Sequence, residues 1–86
     1  GYNQLGLSLY CQDQYDEAIV HFQNALVLDP AYQTVYNNLT FAYEKNGQLD
    51  EALNALHTYL DTLDDPGERA ATEEHMRELL KKGAKP

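Results

Sequence analysis

The chain resembles itself. Displaced by 34 residues, Tyr2 meets Tyr36, Asn3 meets Asn37, Leu5 meets Leu39 and Gln14 meets Gln48. The run Asp16-Glu17-Ala18 falls on Asp50-Glu51-Ala52, and Leu26 falls on Leu60. These are eight identities within the first 30 residues, where average residue usage would give about two by chance. Leu9 with Tyr43, Tyr15 with Leu49, Ile19 with Leu53 and Phe22 with Leu56 fill the gaps conservatively. A repeat of this length predicts stacked helical hairpins, each burying one face against its neighbour. Size points the same way. At 86 residues and 9.8 kDa there is room for one small domain, which hides only about 60–65% of the surface exposed on unfolding.

Each copy reads as two helices. Tyr36, Leu39, Thr40 and Tyr43 recur at helical spacing along one face. Asp29-Pro30 is expected to open that helix, with Asp as cap and Pro at the first position. Asn46-Gly47 is expected to close it, since Gly enters the left-handed region without steric cost. The next helix carries Ala52, Leu53, Leu56, Tyr59, Leu60 and Leu63 on one side. In the first copy the same places hold Tyr2, Leu5, Gly6 and Leu9, then Ala18, Phe22, Ala25 and Leu26, with Asp13 standing where Gly47 stands. Asp tolerates the left-handed region better than most residues, so the turn is expected to survive.

These residues resemble the tetratricopeptide repeat (TPR) family. Its pattern W-x2-L-G-x2-Y…A-x3-F…P is met by Tyr2, Leu5, Gly6, Leu9, Ala18, Phe22, Ala25 and Pro30 in the first copy. Tyr36, Leu39, Tyr43, Gly47, Ala52 and Leu56 meet it in the second, so the resemblance covers residues 1 to 64. It implies an all-α fold: a right-handed superhelical stack of two TPR helix-turn-helix hairpins plus a C-terminal capping helix. Residues 1–32 form an N-terminally clipped first repeat, 33–65 a second, and 66–86 the closing helix. The start at Gly1-Tyr2 suggests a segment excised from a longer protein. Thr40 replaces a small residue of the pattern, Tyr59 another, and Pro66 comes late. The segment after the second copy is therefore expected to pack differently from a third repeat. Asp65-Pro66-Gly67-Glu68 reads as a capping box. Ala71, His75, Met76, Leu79 and Leu80 form the expected apolar stripe, and Lys81-Lys82-Gly83 the stop.

Charge excludes several functions. Fourteen Asp and Glu against six Lys and Arg leave −8, which repels nucleic acid and anionic membranes. Cys11 is the single cysteine, which excludes a disulfide framework and Cys-rich zinc modules. It has no basic neighbour to activate it. His21, His57 and His75 lack ligand spacing, Asp61 four residues after His57 being the nearest approach. No cofactor, no metal and no catalysis are expected; an enzymatic or metal-dependent domain has no constellation of residues behind it. Without a signal or a membrane-spanning run, a cytoplasmic location is expected.

The candidate site lies on the first helix of each copy. In the TPR family these helices line a concave groove that holds extended peptides, so a protein or peptide partner is implied. The second copy presents Thr34, Asn37, Asn38, Phe41 and Lys45 there. The first presents Asn3, Gln4 and Leu7, with Tyr10 adjacent. Asn38 matches the groove Asn that many TPRs use to bond peptide backbone, and Gln4 takes its place in the first copy. TPR domains that clamp a C-terminal carboxylate carry a groove Lys with an Asn one turn later. Here those places hold Asn3 and Leu7, so the clamp is missing. Lys45 is the one cation read on this face, which favours neutral or basic ligands. The rival use of the fold is self-association as a weak homodimer through Val20 and Val27, seven residues apart on the second helix.

Overall fold

The computed structural model describes residues 1–86 and is all helical. The elements are α1 (Tyr2–Cys11), α2 (Tyr15–Leu28), α3 (Gln33–Lys45), α4 (Leu49–Asp61) and α5 (Pro66–Lys82). Helices α1 and α2 form one hairpin, α3 and α4 a second. Helix α3 packs on α2, and α5 packs on α4. The core runs through the stack as one cluster; Phe22, Leu56, Leu79, Val35 and the polar Thr40 are the largest fully buried side chains of the chain. Each large apolar member contributes on the order of 1.5–3 kcal/mol.

The two hairpin turns are the same device built from different residues. Gly47 has φ +78°, and Asp13 has φ +60°. In the first turn Gln14 N–H reaches Leu9 O at 2.9 Å and Asp13 N–H reaches Tyr10 O at 3.0 Å. In the second, Gln48 N–H reaches Tyr43 O at 2.8 Å and Gly47 N–H reaches Glu44 O at 3.1 Å. Both are Schellman closures, which require a left-handed residue and satisfy the last helical carbonyls. The Asp13 carboxylate also accepts the Tyr15 hydroxyl at 2.9 Å, a bond that holds the phenol pKa above its usual value. Nothing of this kind helps a side chain at position 47. Gly47→Ala should therefore cost about 1–2 kcal/mol through the left-handed penalty alone. An unchanged urea midpoint would show that the turn relaxes instead.

Three expectations need correction. Pro30 does not open α3. Tyr32 N–H bonds Asp29 O at 3.1 Å, so Asp29 to Tyr32 is a turn with Pro30 at its second position, where a fixed φ is favourable. The Asp29 carboxylate caps Ala31 N–H within that turn at 3.2 Å, and the helix starts at Gln33.

The apolar stripe on α5 is rotated from the expected one. Ala71 and Leu80 are exposed, while Thr72 is buried beside half-buried His75 and Met76 and fully buried Leu79. Positions 72, 76 and 79 turn toward the core, His75 reaches Glu44 and Phe41 of α3, and Leu80 lies about 100° beyond Leu79. Thr72 can be buried because its hydroxyl donates to Glu68 O at 2.9 Å.

On α1, Tyr2 and Leu5 are 41% and 51% exposed, whereas Leu39, the counterpart of Leu5, is 6% exposed. Helix α2 covers Leu39; no helix of the chain covers the same face of α1.

Both ends of α5 are tied down. The Asp65 carboxylate accepts Glu68 N–H at 2.9 Å, although Glu68 does not complete the box with a return bond. Arg69 Nη1 donates to Leu60 O and Leu63 O, each at 2.9 Å, capping the end of α4. Gly83 turns the chain at φ +120°, Ala84 is buried, and Lys85 N–H bonds Asp50 Oδ1 at 2.8 Å. Backbones of α1 and α3 approach within 8 Å, but those of α3 and α5 do not. Tyr59, where the first copy has Ala25, borders a hollow between them with Asn37, Thr72 and His75, and its hydroxyl accepts from Asn37 Nδ2 at 3.3 Å.

Candidate peptide-binding groove

Glycine at one position sets the depth of the groove. A Cβ at Gly6 would lie 2.5 Å from Phe22 Cε1, so only glycine lets the Phe22 ring pass this close beneath α1. The ring, fully buried, then forms the floor of a cavity of about 70 Å³ between α1 and α3. Leu7 and Tyr10 wall it from α1, and Asn38 and Phe41 from α3. Tyr10 is steadied by an edge-on contact with Tyr15, ring centres 5.4 Å apart.

The amides of the groove are partly occupied by one another. Asn38 Nδ2 donates to Asn3 Oδ1 at 2.9 Å, joining α3 to α1. Asn37 spends a donor on the Tyr59 hydroxyl. Asn38 lines the cavity, and its second N–H and its carbonyl oxygen make no other hydrogen bond within the chain.

Phe41 is 48% exposed and borders a second, wider hollow of about 490 Å³ shared with Glu44, Lys45, His75, Glu78 and Lys82. Here His75 Nε2 lies 2.9 Å from Glu44 Oε2, and Lys82 Nζ lies 3.7 Å from Oε1. The Phe41 and His75 rings are 5.6 Å apart. Glu44 is mostly buried; His75 hydrogen-bonds its carboxylate, and Lys82 supplies the opposing charge.

Of the residues singled out in the sequence, Leu7, Tyr10, Asn38 and Phe41 converge on one cavity, with Asn3 bonded at its edge. Lys45 lies in the adjoining hollow, and Asn37 turns toward Tyr59. Gln4, with Asn3 beside it, opens onto a different hollow at the base of α1 and α2 with Tyr2, Leu28 and Tyr32. Thr34 is exposed and lines none of these cavities. Sequence reasoning missed Phe22, counted only as core, and the contribution of α5. His75, Glu78 and Lys82 of α5 border the adjoining hollow, where Lys82 adds a second cation beside Lys45 of α3. The 34-residue repeat carries no signal for them because it stops before α5. The histidines are dispersed: His21 stacks on Tyr2, His75 bonds Glu44, and His57 is exposed.

A family model described as the TPR repeat matches residues 6–47, from the middle of α1 through α3. A tetratricopeptide repeat domain-containing protein of Arabidopsis thaliana, PYG7, named as chloroplastic, is 44% identical over 70 residues. The chain belongs to the tetratricopeptide repeat family. The alignment takes in 81% of this chain but 23% of that relative, so the chain spans about a quarter of its length. TPR repeats are protein–protein interaction modules that bind proteins or peptides, and the family is non-enzymatic. No helix is long and apolar enough to cross a membrane.

Proposed function

We propose that this TPR module binds an extended peptide segment of a partner protein, without catalysis, along the face formed by α1, α3 and α5. Residues 1–32 and 33–65 act as two repeats and 66–86 as the helix that closes the stack. The observation that carries this reading is the convergence of Leu7, Tyr10, Asn38 and Phe41 on one solvent-facing cavity. Exposed apolar walls beside an amide with both a donor and an acceptor to spare match a peptide, whose backbone needs that pairing. Glu44 and Glu78 oppose Lys45 and Lys82 within the groove, and the overall charge of −8 steers neutral and basic peptides in preference to acidic ones or nucleic acid. Affinity near micromolar is expected for so short a groove.

Asn38→Ala or Phe41→Ala should weaken peptide binding by about 1–2 kcal/mol, since each leaves ligand groups unpaired or uncovered. Phe41→Ala should leave the melting temperature nearly unchanged, because its ring is half exposed. Chemical-shift titration checks this. Shifts confined to α2 and α4, with Asn38 and Phe41 silent, would remove the groove from the account.

Self-association is the second reading, favoured by exposed apolar surface on the first hairpin. Val20 is 52% and Val27 78% exposed, one helical heptad apart. A weak homodimer through this flank should be abolished by Val20→Glu with Val27→Glu, with no change in circular dichroism. A chain that sediments as a monomer at millimolar concentration eliminates it. The cytoplasmic expectation stands beside a relative named as chloroplastic, and imaging of the tagged full-length protein decides the compartment.

A further inference from the structure

We propose that the cavity between α1 and α3 selects one branched aliphatic side chain of the bound peptide, of Val, Ile or Leu size, over aromatic and charged side chains. This inference rests on peptide binding in the groove and adds to it the chemistry of the ligand. Size is the first argument. The cavity holds about 70 Å³, roughly half of the ~150 Å³ that accommodates a benzene ring in an apolar protein cavity. An isopropyl or isobutyl group fills such a space; a phenyl ring exceeds it.

The lining is the second argument. Leu7, Tyr10, Phe22 and Phe41 are apolar, and Asn38 is the single polar member. No ionised group borders the cavity to compensate a charge placed there, so acidic and basic side chains are rejected by desolvation. Rigidity is the third. The floor is Phe22, fully buried and held against α1 by the close approach at Gly6, so the depth of the cavity is fixed whatever its occupant. Asn38 then fixes the register. Its bond to Asn3 orients the amide, and the remaining N–H and carbonyl oxygen meet the peptide unit that bears the inserted side chain.

A displayed library of random peptides, panned on the folded chain, is the probe. Selected peptides should share one position restricted to Val, Ile and Leu. Replacing that residue by Ala should weaken binding about tenfold, the loss of two to three buried methyl or methylene groups, tempered by partial exposure. Two substitutions at one wall make the test reciprocal. Leu7→Phe fills the cavity and should erase the difference between the aliphatic peptide and its Ala version. Leu7→Ala enlarges it and should shift selection toward Phe at the same position, a gain that simple unfolding cannot produce. Peptides that shift Asn38 and Phe41 resonances yet show no aliphatic position, or whose preference ignores both Leu7 variants, overturn the cavity inference and leave groove binding standing. If no peptide is recovered, or the recovered peptides perturb only residues outside α1, α3 and α5, both fall.

Discussion

Truncation after Asp65 should yield a chain that no longer unfolds cooperatively. Helix α5 is the one element packed on the outer side of α4. It brings Leu79, fully buried, together with half-buried Met76 and the returning Ala84. Leu79 and Met76 alone account for about 3–5 kcal/mol of burial. A domain of this length has a total stability of roughly 4–13 kcal/mol. Truncation also strips Arg69 from the carbonyls of Leu60 and Leu63 and the Lys85 backbone from Asp50. The Glu44 carboxylate would lose both His75 and Lys82. Urea unfolding monitored by circular dichroism, with a dye that reports exposed apolar surface, measures the outcome. A truncated chain with the full chain's midpoint and slope would show that two hairpins suffice. Leu79→Asp in the full chain should reproduce much of the loss without shortening anything.

The second large effect concerns a coupled pair. Gly6→Thr alone should destabilise the chain by about 1–3 kcal/mol, because its Cβ meets the Phe22 ring at 2.5 Å and helix or ring must shift. Phe22→Leu alone should cost about 1–3 kcal/mol by leaving a void. Made together, they should cost clearly less than the sum. The protein already contains the combined arrangement: 34 residues on, Thr40 and Leu56 stand at the same two places, 0% and 1% exposed. Thr40 manages burial by donating its hydroxyl to Tyr36 O at 2.8 Å. A coupling of about 1–2 kcal/mol in a double-mutant cycle is expected. Strict additivity would mean that glycine and the aromatic ring are independent. The double variant should also lose the groove cavity's aromatic floor, so its peptide binding should fall while its stability recovers.

Much of this fold is legible in the sequence. The internal repeat locates both hairpins, and Gly47 and Asp13 mark their turns because only left-handed residues permit that closure. Boundaries are less legible. Asp29-Pro30 carries a signal shared by helix starts and turns, and the hydrogen bond from Tyr32 to Asp29 decides for the turn. The α5 stripe is displaced because Thr72 is polar by composition and buried only where its hydroxyl can be satisfied by the preceding turn. Tyr2 and Leu5 fit the pattern of buried residues, yet burial requires a neighbour that periodicity does not supply.

The sequence by itself determined whatever depends on local geometry: helical period, hairpin repeat, turn chemistry, and which face of α1 and α3 carries Leu7, Tyr10, Asn38 and Phe41. The TPR resemblance rests on the repeat's pattern residues, from Tyr2, Leu5 and Gly6 to Ala52 and Leu56. Only the tertiary structure decided whatever depends on distance between separate helices. It paired Asn38 with Asn3, turned Asn37 to Tyr59, placed Phe22 beneath Gly6, and brought His75 and Lys82 of α5 to Glu44. The reason is physical. Spacing along one helix is set by 3.6 residues per turn, but the gap between two helices is set by the side chains packed between them. Here Gly6 lets α1 and α2 close tightly, and Tyr59 takes the donor of Asn37 and borders the hollow between α3 and α5. Those two contacts shape the groove.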